Sequence, residues 1–142
     1  MKVMLLAKAS PETETMQPPS AEAMLAMHQF NEELEQAGVL VTLGGLTPSS
    51  RGARLRFNGT TCTVIDGPFA ESKELIAGYS ILEVKTFAEA IAWAKRAPFG
   101  LCVPAGQEAE VELRPLFDPS DFDVPGEAEE REKKLGKQPG KS

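Results

Sequence analysis

The order of hydrophobic patterns along the chain constrains its fold more than any other feature. Residues 2–8 and 39–43 have the short apolar runs of strands, and a helical apolar stripe lies between them. Residues 77–85 and 110–114 repeat this arrangement around a second helix, which begins at Phe87. A β-hairpin separates the two blocks. The sequence therefore predicts the order strand, helix, strand, hairpin, strand, helix, strand.

Both predicted helices begin with recognisable capping residues. Ser20 is a suitable N-cap for the first helix, which we expect to end at Gly38. Thr86 and Glu89 have the spacing of a capping box at the start of the second helix. One apolar stripe recurs at helical spacing in the first helix: Met27, Phe30, Leu34 and Ala37. We expect this stripe to face the core.

The hairpin is the clearest local signal in the sequence. Its turn, Asn58-Gly59, favours positive φ at both central positions. Such a turn predicts three facing pairs: Phe57 with Thr60, Leu55 with Cys62, and Ala53 with Val64. The alternation continues to Asp66, which we expect on the apolar side. A carboxylate on that side needs hydrogen-bond partners or a water-filled cleft, because burying an unpaired charge costs on the order of several kcal/mol.

Two segments before the hairpin have the composition of loops. Residues 10–19 are rich in Pro, Thr and Glu, and they connect the first strand to the first helix. Gly44 and Gly45 are expected to end the second strand. The loop that follows is expected to be exposed, and it contains Pro48, Ser49 and Ser50.

The composition is typical of one globular domain with a charged tail. The chain has 142 residues, of which 42% are hydrophobic and 25% charged. We assign residues 1–116 to the domain and expect residues 117–142 to be disordered or docked. A net charge of −6 argues against nucleic acid or an anionic membrane as a partner. No apolar run approaches the length of a membrane-spanning helix.

The cysteines and the histidine do not have the spacing of a metal site. Cys62 and Cys102 lie far apart, so we expect both to be buried and reduced, which suits a cytoplasmic protein. No ligand spacing joins His28 to Asp66 and Glu71 as a cation site. We therefore expect neither a metal nor a cofactor.

The segment Asp66-Gly67-Pro68-Phe69 places an acid at the end of a strand in a restricted turn. Gly67 permits unusual backbone angles and Pro68 fixes its own φ, so we expect one orientation for the carboxylate. Glu71, Lys73 and Glu74 follow closely and are candidates for a second charged group near Asp66, and Lys73 is also a candidate contact for an anionic substrate. The alternative is a solvated loop with a local ion pair.

The segment is similar to the signature of the DGPF-domain, YCII-related family. Other stretches resemble the same family: Met1-Lys2-Val3-Met4-Leu5-Leu6, Phe30-Asn31-Glu32-Glu33-Leu34, Gly38-Val39-Leu40, Ala70-Glu71-Ser72-Lys73-Glu74, Gly78-Tyr79 and Glu89-Ala90-Ile91-Ala92-Trp93-Ala94. The resemblance covers residues 1–116. It implies an α+β, ferredoxin-like subunit with an inserted hairpin. It also implies a homodimer whose sheets form an α/β barrel, with a cleft near residues 66–69.

The resemblance further implies a histidine–aspartate pair as the active centre. Asp66 matches the aspartate, and His28, the only histidine of the chain, is the candidate partner. A carboxylate within hydrogen-bond reach would orient the imidazole and raise its basicity, which makes a general acid–base pair. The alternative for His28 is a half-exposed helix residue with no role in catalysis.

Two functions remain open from the sequence. The first is a cytoplasmic homodimer that binds a small organic molecule and performs metal-independent proton-transfer or lyase-like chemistry. Its candidate substrate-binding residues are Pro68, Phe69, Glu71, Lys73 and Tyr79, although ordinary core packing is the alternative for Phe69. The second is a non-catalytic module that binds a protein partner, such as an extracytoplasmic-function sigma factor.

Overall fold

The computed structural model describes residues 1–71, 74–122 and 126–136. The strands in this part of the chain are β1 (Lys2–Lys8), β2 (Leu40–Gly45), β3 (Ala53–Asn58), β4 (Thr61–Asp66), β5 (Ile76–Glu83) and β6 (Val111–Pro115). The α-helices are α1 (Pro11–Glu14), α2 (Ala21–Gln36), α3 (Phe87–Arg96) and α4 (Gly126–Gly136). Short 3₁₀ turns occupy Ser49–Arg51, Phe99–Cys102 and Pro119–Asp121.

The main sheet has the strand order β2-β5-β1-β6, and each neighbouring pair is antiparallel. Helix α2 connects β1 to β2, and α3 connects β5 to β6. This arrangement is ferredoxin-like. The β3-β4 hairpin forms a separate two-stranded sheet inserted between β2 and β5. The predicted fold is therefore confirmed for the subunit.

The core lies between one face of the sheet and helices α2 and α3. Its buried members are Val3, Phe30, Leu34, Val39, Leu82, Val84 and Ala90. The predicted stripe of α2 supplies Phe30 and Leu34, and Met27 packs against the cluster. Ala37 is exposed because it is the C-cap residue, beyond the last turn of the helix.

The helix ends follow the capping residues. The Ser20 hydroxyl accepts a hydrogen bond of 3.1 Å from the Ala23 N–H, and Gly38 leaves the helix with a φ of +72°. The Thr86 hydroxyl accepts a hydrogen bond from the Glu89 N–H. The Glu89 carboxylate accepts from the Lys85 N–H, one residue earlier than a capping box requires.

The expectation of a continuous loop over residues 10–19 is wrong. Residues 10–19 contain α1, whose N-cap Ser10 exchanges hydrogen bonds with Thr13. Gly44 and Gly45 are the last two residues of β2, so the strand ends at this pair, as expected. A Cβ at Gly44 would lie 2.8 Å from the Tyr79 hydroxyl oxygen, so the glycine leaves room for the Tyr79 ring across the strand.

The hairpin register differs by two residues from the prediction. The observed pairs are Asn58 with Thr61, Phe57 with Cys62, Leu55 with Val64, and Ala53 with Asp66. The turn residues are Gly59 and Thr60, and of these only Gly59 has a positive φ, +61°. This is the type II′ pattern, which needs a glycine at the first central position alone. A shift of two leaves every side chain on its predicted face.

The apolar face of the hairpin is open to solvent in the single chain. Leu55, Phe57 and Val64 are 56%, 71% and 62% exposed. Asp66 and Cys62 lie on this face and are exposed as well. The expectation of a buried Cys62 is therefore wrong, and Asp66 lies on the predicted side but faces solvent. The alternation of side chains was correct, but the core does not extend beneath the hairpin. Cys102 is half-buried, and partial burial raises the pKa of its thiol.

The described residues of the C-terminal segment include a ring contact and a helix. Leu116 N–H donates to the carbonyl of Lys2, and the rings of Phe117 and Phe122 are 4.5 Å apart between centroids. Helix α4 follows, whereas residues 123–125 and 137–142 of the predicted tail lie outside the described residues. None of the helices described here has both the length and the apolar character needed to cross a membrane.

Replacing Leu34 by alanine tests the core. Leu34 is 0% exposed and Leu25, on the same helix, is 61% exposed. We expect Leu34→Ala to lower the free energy of unfolding by about 2–5 kcal/mol, because it leaves a cavity. Leu25→Ala is the matched control and should change it by less than about 0.5 kcal/mol. Urea denaturation followed by circular dichroism measures both; equal losses would contradict the assigned core.

Candidate functional site

Residues 66–69, called the elbow here, dock against the turn that precedes the hairpin. The Gly67 N–H donates a hydrogen bond of 3.0 Å to the Gly52 carbonyl. The Phe69 N–H donates one of 3.0 Å to the Ser49 hydroxyl. The chain before β3 is therefore hydrogen-bonded to the chain after β4, and these bonds fix the position of the elbow.

Gly67 is required by close contact rather than by its backbone angles. A Cβ at this position would lie 1.7 Å from the Ser49 carbonyl oxygen, far inside any allowed contact. Positive φ values among the described glycines occur at Gly38, Gly59 and Gly106. The sequence predicted a need for glycine at position 67, but it attributed that need to unusual backbone angles instead of close contact. Any side chain at position 67 would force the elbow away from the Ser49–Arg51 turn.

Ser49 also binds Glu14, the last residue of α1. The Ser49 N–H donates a hydrogen bond of 2.9 Å to Glu14 Oε2, and the Ser49 hydroxyl donates to Glu14 Oε1. Hydrogen bonds to an ionised acceptor are stronger than those between neutral groups. The expectation of an exposed loop holds for Ser50 but not for Ser49, which is half-buried, or for Pro48, which is buried. Glu14, Ser49 and Phe69 thus form a continuous hydrogen-bonded chain.

A cavity of about 400 Å³ lies beside this chain of hydrogen bonds. We call it the elbow cavity, and its lining residues are Glu14, Leu46, Thr47, Pro48, Ser49, Gly52, Phe69, Glu74, Leu75 and Ile76. Aliphatic, proline and phenylalanine side chains form most of its walls. Two carboxylates and two hydroxyls provide polar contacts. The size and the mixture of groups are those of a small-molecule site.

The ring of Phe69 is held by a cation from the hairpin. The guanidinium carbon of Arg54 lies 3.9 Å from the centroid of the ring. Arg54 is on the hairpin face opposite Leu55, so that face folds toward the elbow while the apolar face points away. A cation–π contact at an exposed site stabilises by about 0.5–1 kcal/mol. The contact restricts the ring that forms part of the cavity wall.

The structure brings only part of the predicted site together. Phe69 lines the elbow cavity, whereas Pro68 and Glu71 are exposed beside it. The half-buried Tyr79 packs its ring against Gly44. Lys73 lies outside the described residues.

The predicted catalytic pair is not joined in the single chain. Asp66 is exposed at the end of β4, and His28 is exposed on α2. Within the described residues, no hydrogen bond or ion pair links these two side chains. Neither residue lines the elbow cavity. Their catalytic role stays a prediction.

Sequence reasoning missed Glu14 and Ser49 as residues of the cavity, whereas it named Glu74 as a candidate charged group near Asp66. Glu14 and Ser49 are 35 positions apart, and no periodic pattern relates them. One signal was present: Ser10 followed by Pro11 is a helix start, which would have revealed α1. Nothing comparable marks Ser49, whose importance comes from a contact between distant segments.

Comparisons with known proteins give one family match. The sequence model of the YCII-related domain matches residues 1–116. An uncharacterised protein of Rhizobium meliloti is 35% identical over 60 residues, which cover 42% of this chain and 48% of that protein. The match therefore spans about half the length of that relative.

A structural comparison gives a more distant likeness. The solved protein is the 5-chloro-2-hydroxyhydroquinone dehydrochlorinase of Burkholderia phenoliruptrix, in complex with 2,5-dihydroxybenzoquinone. It is 15% identical in sequence, with a TM-score of 0.47. The likeness covers 87% of this chain and 100% of that chain.

Removing the Ser49 hydroxyl tests its bridging role. Ser49→Ala deletes a donor to Glu14 and the acceptor of the Phe69 N–H, so we expect a loss of about 1–3 kcal/mol in unfolding free energy. Amide hydrogen exchange at Phe69 should also become faster. Ser50→Ala, at the exposed neighbouring position, is the control. Unchanged exchange at Phe69 in Ser49→Ala would contradict the bridge.

Proposed function

Because this chain belongs to the YCII-related family, we propose that it binds a small organic molecule in the elbow cavity and performs metal-independent proton-transfer or lyase-type chemistry on it. The observation that carries the proposal is the position of the cavity. Its wall includes Phe69 of the signature segment and Ser49, to which Phe69 is hydrogen-bonded. The fold alone does not require a cavity beside the signature segment.

The walls support binding of an organic molecule. Leu46, Pro48, Leu75 and Ile76 offer apolar surface, and the Phe69 ring adds an aromatic contact. Ligand sites are mostly apolar, with a few polar groups that fix the orientation of the ligand. Glu14 has this second property, since two hydrogen bonds from Ser49 hold its carboxylate.

The chemical step requires a proton donor or acceptor, and the chain offers carboxylates at two places. Glu14 and Glu74 line the cavity. Asp66, the predicted catalytic residue, leaves β4 three positions before Phe69 and faces solvent. In the proposal Asp66 and His28 act when the site is closed by a second subunit. A positioned carboxylate, whether in the cavity wall or at Asp66, can serve as a general acid or base.

The proposal includes a homodimer, supported by the outward face of the hairpin. Leu55, Phe57 and Val64 form an exposed apolar patch beside Asp66. Contiguous apolar surface of this kind marks interaction sites. The same patch supports the second candidate function, a non-catalytic module for a protein partner such as a sigma factor. The two free cysteines suit the reducing cytoplasm in which we place the protein.

Ligand binding tests the first function directly. Screening a metabolite panel by thermal unfolding should identify compounds that raise Tm, since a ligand at 100 times its Kd stabilises by about 2.7 kcal/mol. Phe69→Ala should weaken the response, whereas Phe117→Ala, outside the cavity, should retain it. Equal responses of Asp66→Asn and the unmodified protein would remove Asp66 from the site. No response to any compound would contradict the proposal.

Light scattering tests the dimer. We expect twice the mass of the chain at micromolar concentration. Phe57→Ser should weaken association about tenfold or more, because burying such a side chain contributes about 1.5–3 kcal/mol. Leu25→Ser, at an exposed position of α2, is the control. A monomeric mass for the unmodified protein would show that the hairpin patch serves another partner.

A further inference from the structure

We infer that the elbow cavity selects small ring-containing molecules whose polar end donates hydrogen bonds, as an amine or alcohol does, and discriminates against carboxylates and phosphates. The inference rests on the proposed function, because it concerns the same cavity. It adds the chemical class of the ligand.

Among the residues that the structure describes, the charged groups of the cavity wall are carboxylates. Glu14 and Glu74 are the ionisable side chains of this lining, and its other eight described residues have none. Arg54 contacts the Phe69 ring but is not part of the lining. A ligand anion in the cavity would therefore approach two like charges and be repelled by them. A cation would be attracted by the same groups.

Most hydrogen-bond donors of the wall are already used within the protein. Six backbone N–H groups of lining residues have protein acceptors: Glu14 with the Ser10 carbonyl, Leu46 with the Ala77 carbonyl, Ser49 with Glu14, Gly52 with the Ser49 carbonyl, Phe69 with the Ser49 hydroxyl, and Glu74 with the Glu71 carbonyl. The Ser49 hydroxyl hydrogen is donated to Glu14. A carboxylate or phosphate needs several donors to replace its hydration, and these groups cannot provide them.

The acceptors, in contrast, have capacity left. An ionised carboxylate can accept about four hydrogen bonds. Ser49 occupies one position on each oxygen of Glu14, which leaves each oxygen able to accept another. Because both oxygens are already held, a ligand donor meets an oriented acceptor and loses less entropy on binding. The apolar walls bind the rest of the molecule, and a volume of about 400 Å³ accommodates a ring.

Three compounds of nearly equal size test the selection: benzylamine, benzyl alcohol and benzoate. Each is titrated at pH 7 into the full chain, and binding is followed by ¹⁵N amide shifts of the cavity residues. We expect benzylamine to bind at least about tenfold more tightly than benzoate, with benzyl alcohol between them.

Two variants separate charge from structure. Glu74→Gln removes one charge and leaves the bonds between Ser49 and Glu14 intact, whereas Glu14→Gln also alters the acceptor of Ser49. Each should reduce the ratio of benzylamine to benzoate affinity severalfold. Glu35→Gln makes the same change on an exposed position of α2 outside the cavity, so it should preserve the ratio. Thermal unfolding of each variant confirms that it is folded.

The outcomes distinguish this inference from the proposed function. If benzoate binds as tightly as benzylamine, or both cavity variants keep the original ratio, the selection is wrong and small-molecule binding stands. If metabolites bind the cavity but none of the three compounds does, the assigned ligand class is wrong. If no compound of either set shifts the cavity amides, the proposed function fails together with the selection.

Discussion

The position of the elbow depends on Ser49. Its carbonyl contacts Gly67 so closely that a side chain there is excluded, and its hydroxyl accepts from the Phe69 N–H. The same residue donates twice to Glu14. Three segments that are distant in sequence are therefore held at one point. The cavity beside them exists because these contacts set the distance between the elbow, α1 and the start of β5.

Much of the fold follows from local signals. The stripe containing Phe30 and Leu34 faces the core, and Ser20 and Thr86 begin their helices, because periodicity and capping depend on neighbouring residues. The hairpin was placed correctly but with the wrong register. Asn58-Gly59 satisfies a type I′ turn, whereas the observed turn uses Gly59-Thr60. Both turns have a two-residue loop, so loop length does not distinguish the two registers.

The candidate site could be predicted only in part. The signature segment was found, and its Phe69 reaches the cavity. Glu14 and Ser49 could not be found, because their contact links segments with no shared pattern. The error about Asp66 has another cause. Alternation assigns a side chain to one of two faces, and it does not say which of them is covered by the rest of the protein.

The type II′ turn at Gly59-Thr60 limits how this hairpin can change in length. Side chains alternate with a period of two, so inserting or deleting one residue in a strand would reverse the faces beyond that point unless a bulge absorbed it. Such a change in β4 would place Asp66 on the side of Arg54, whereas one in β3 would turn Leu55 toward the elbow. Viable length variants among relatives should thus differ by even numbers of residues in each strand.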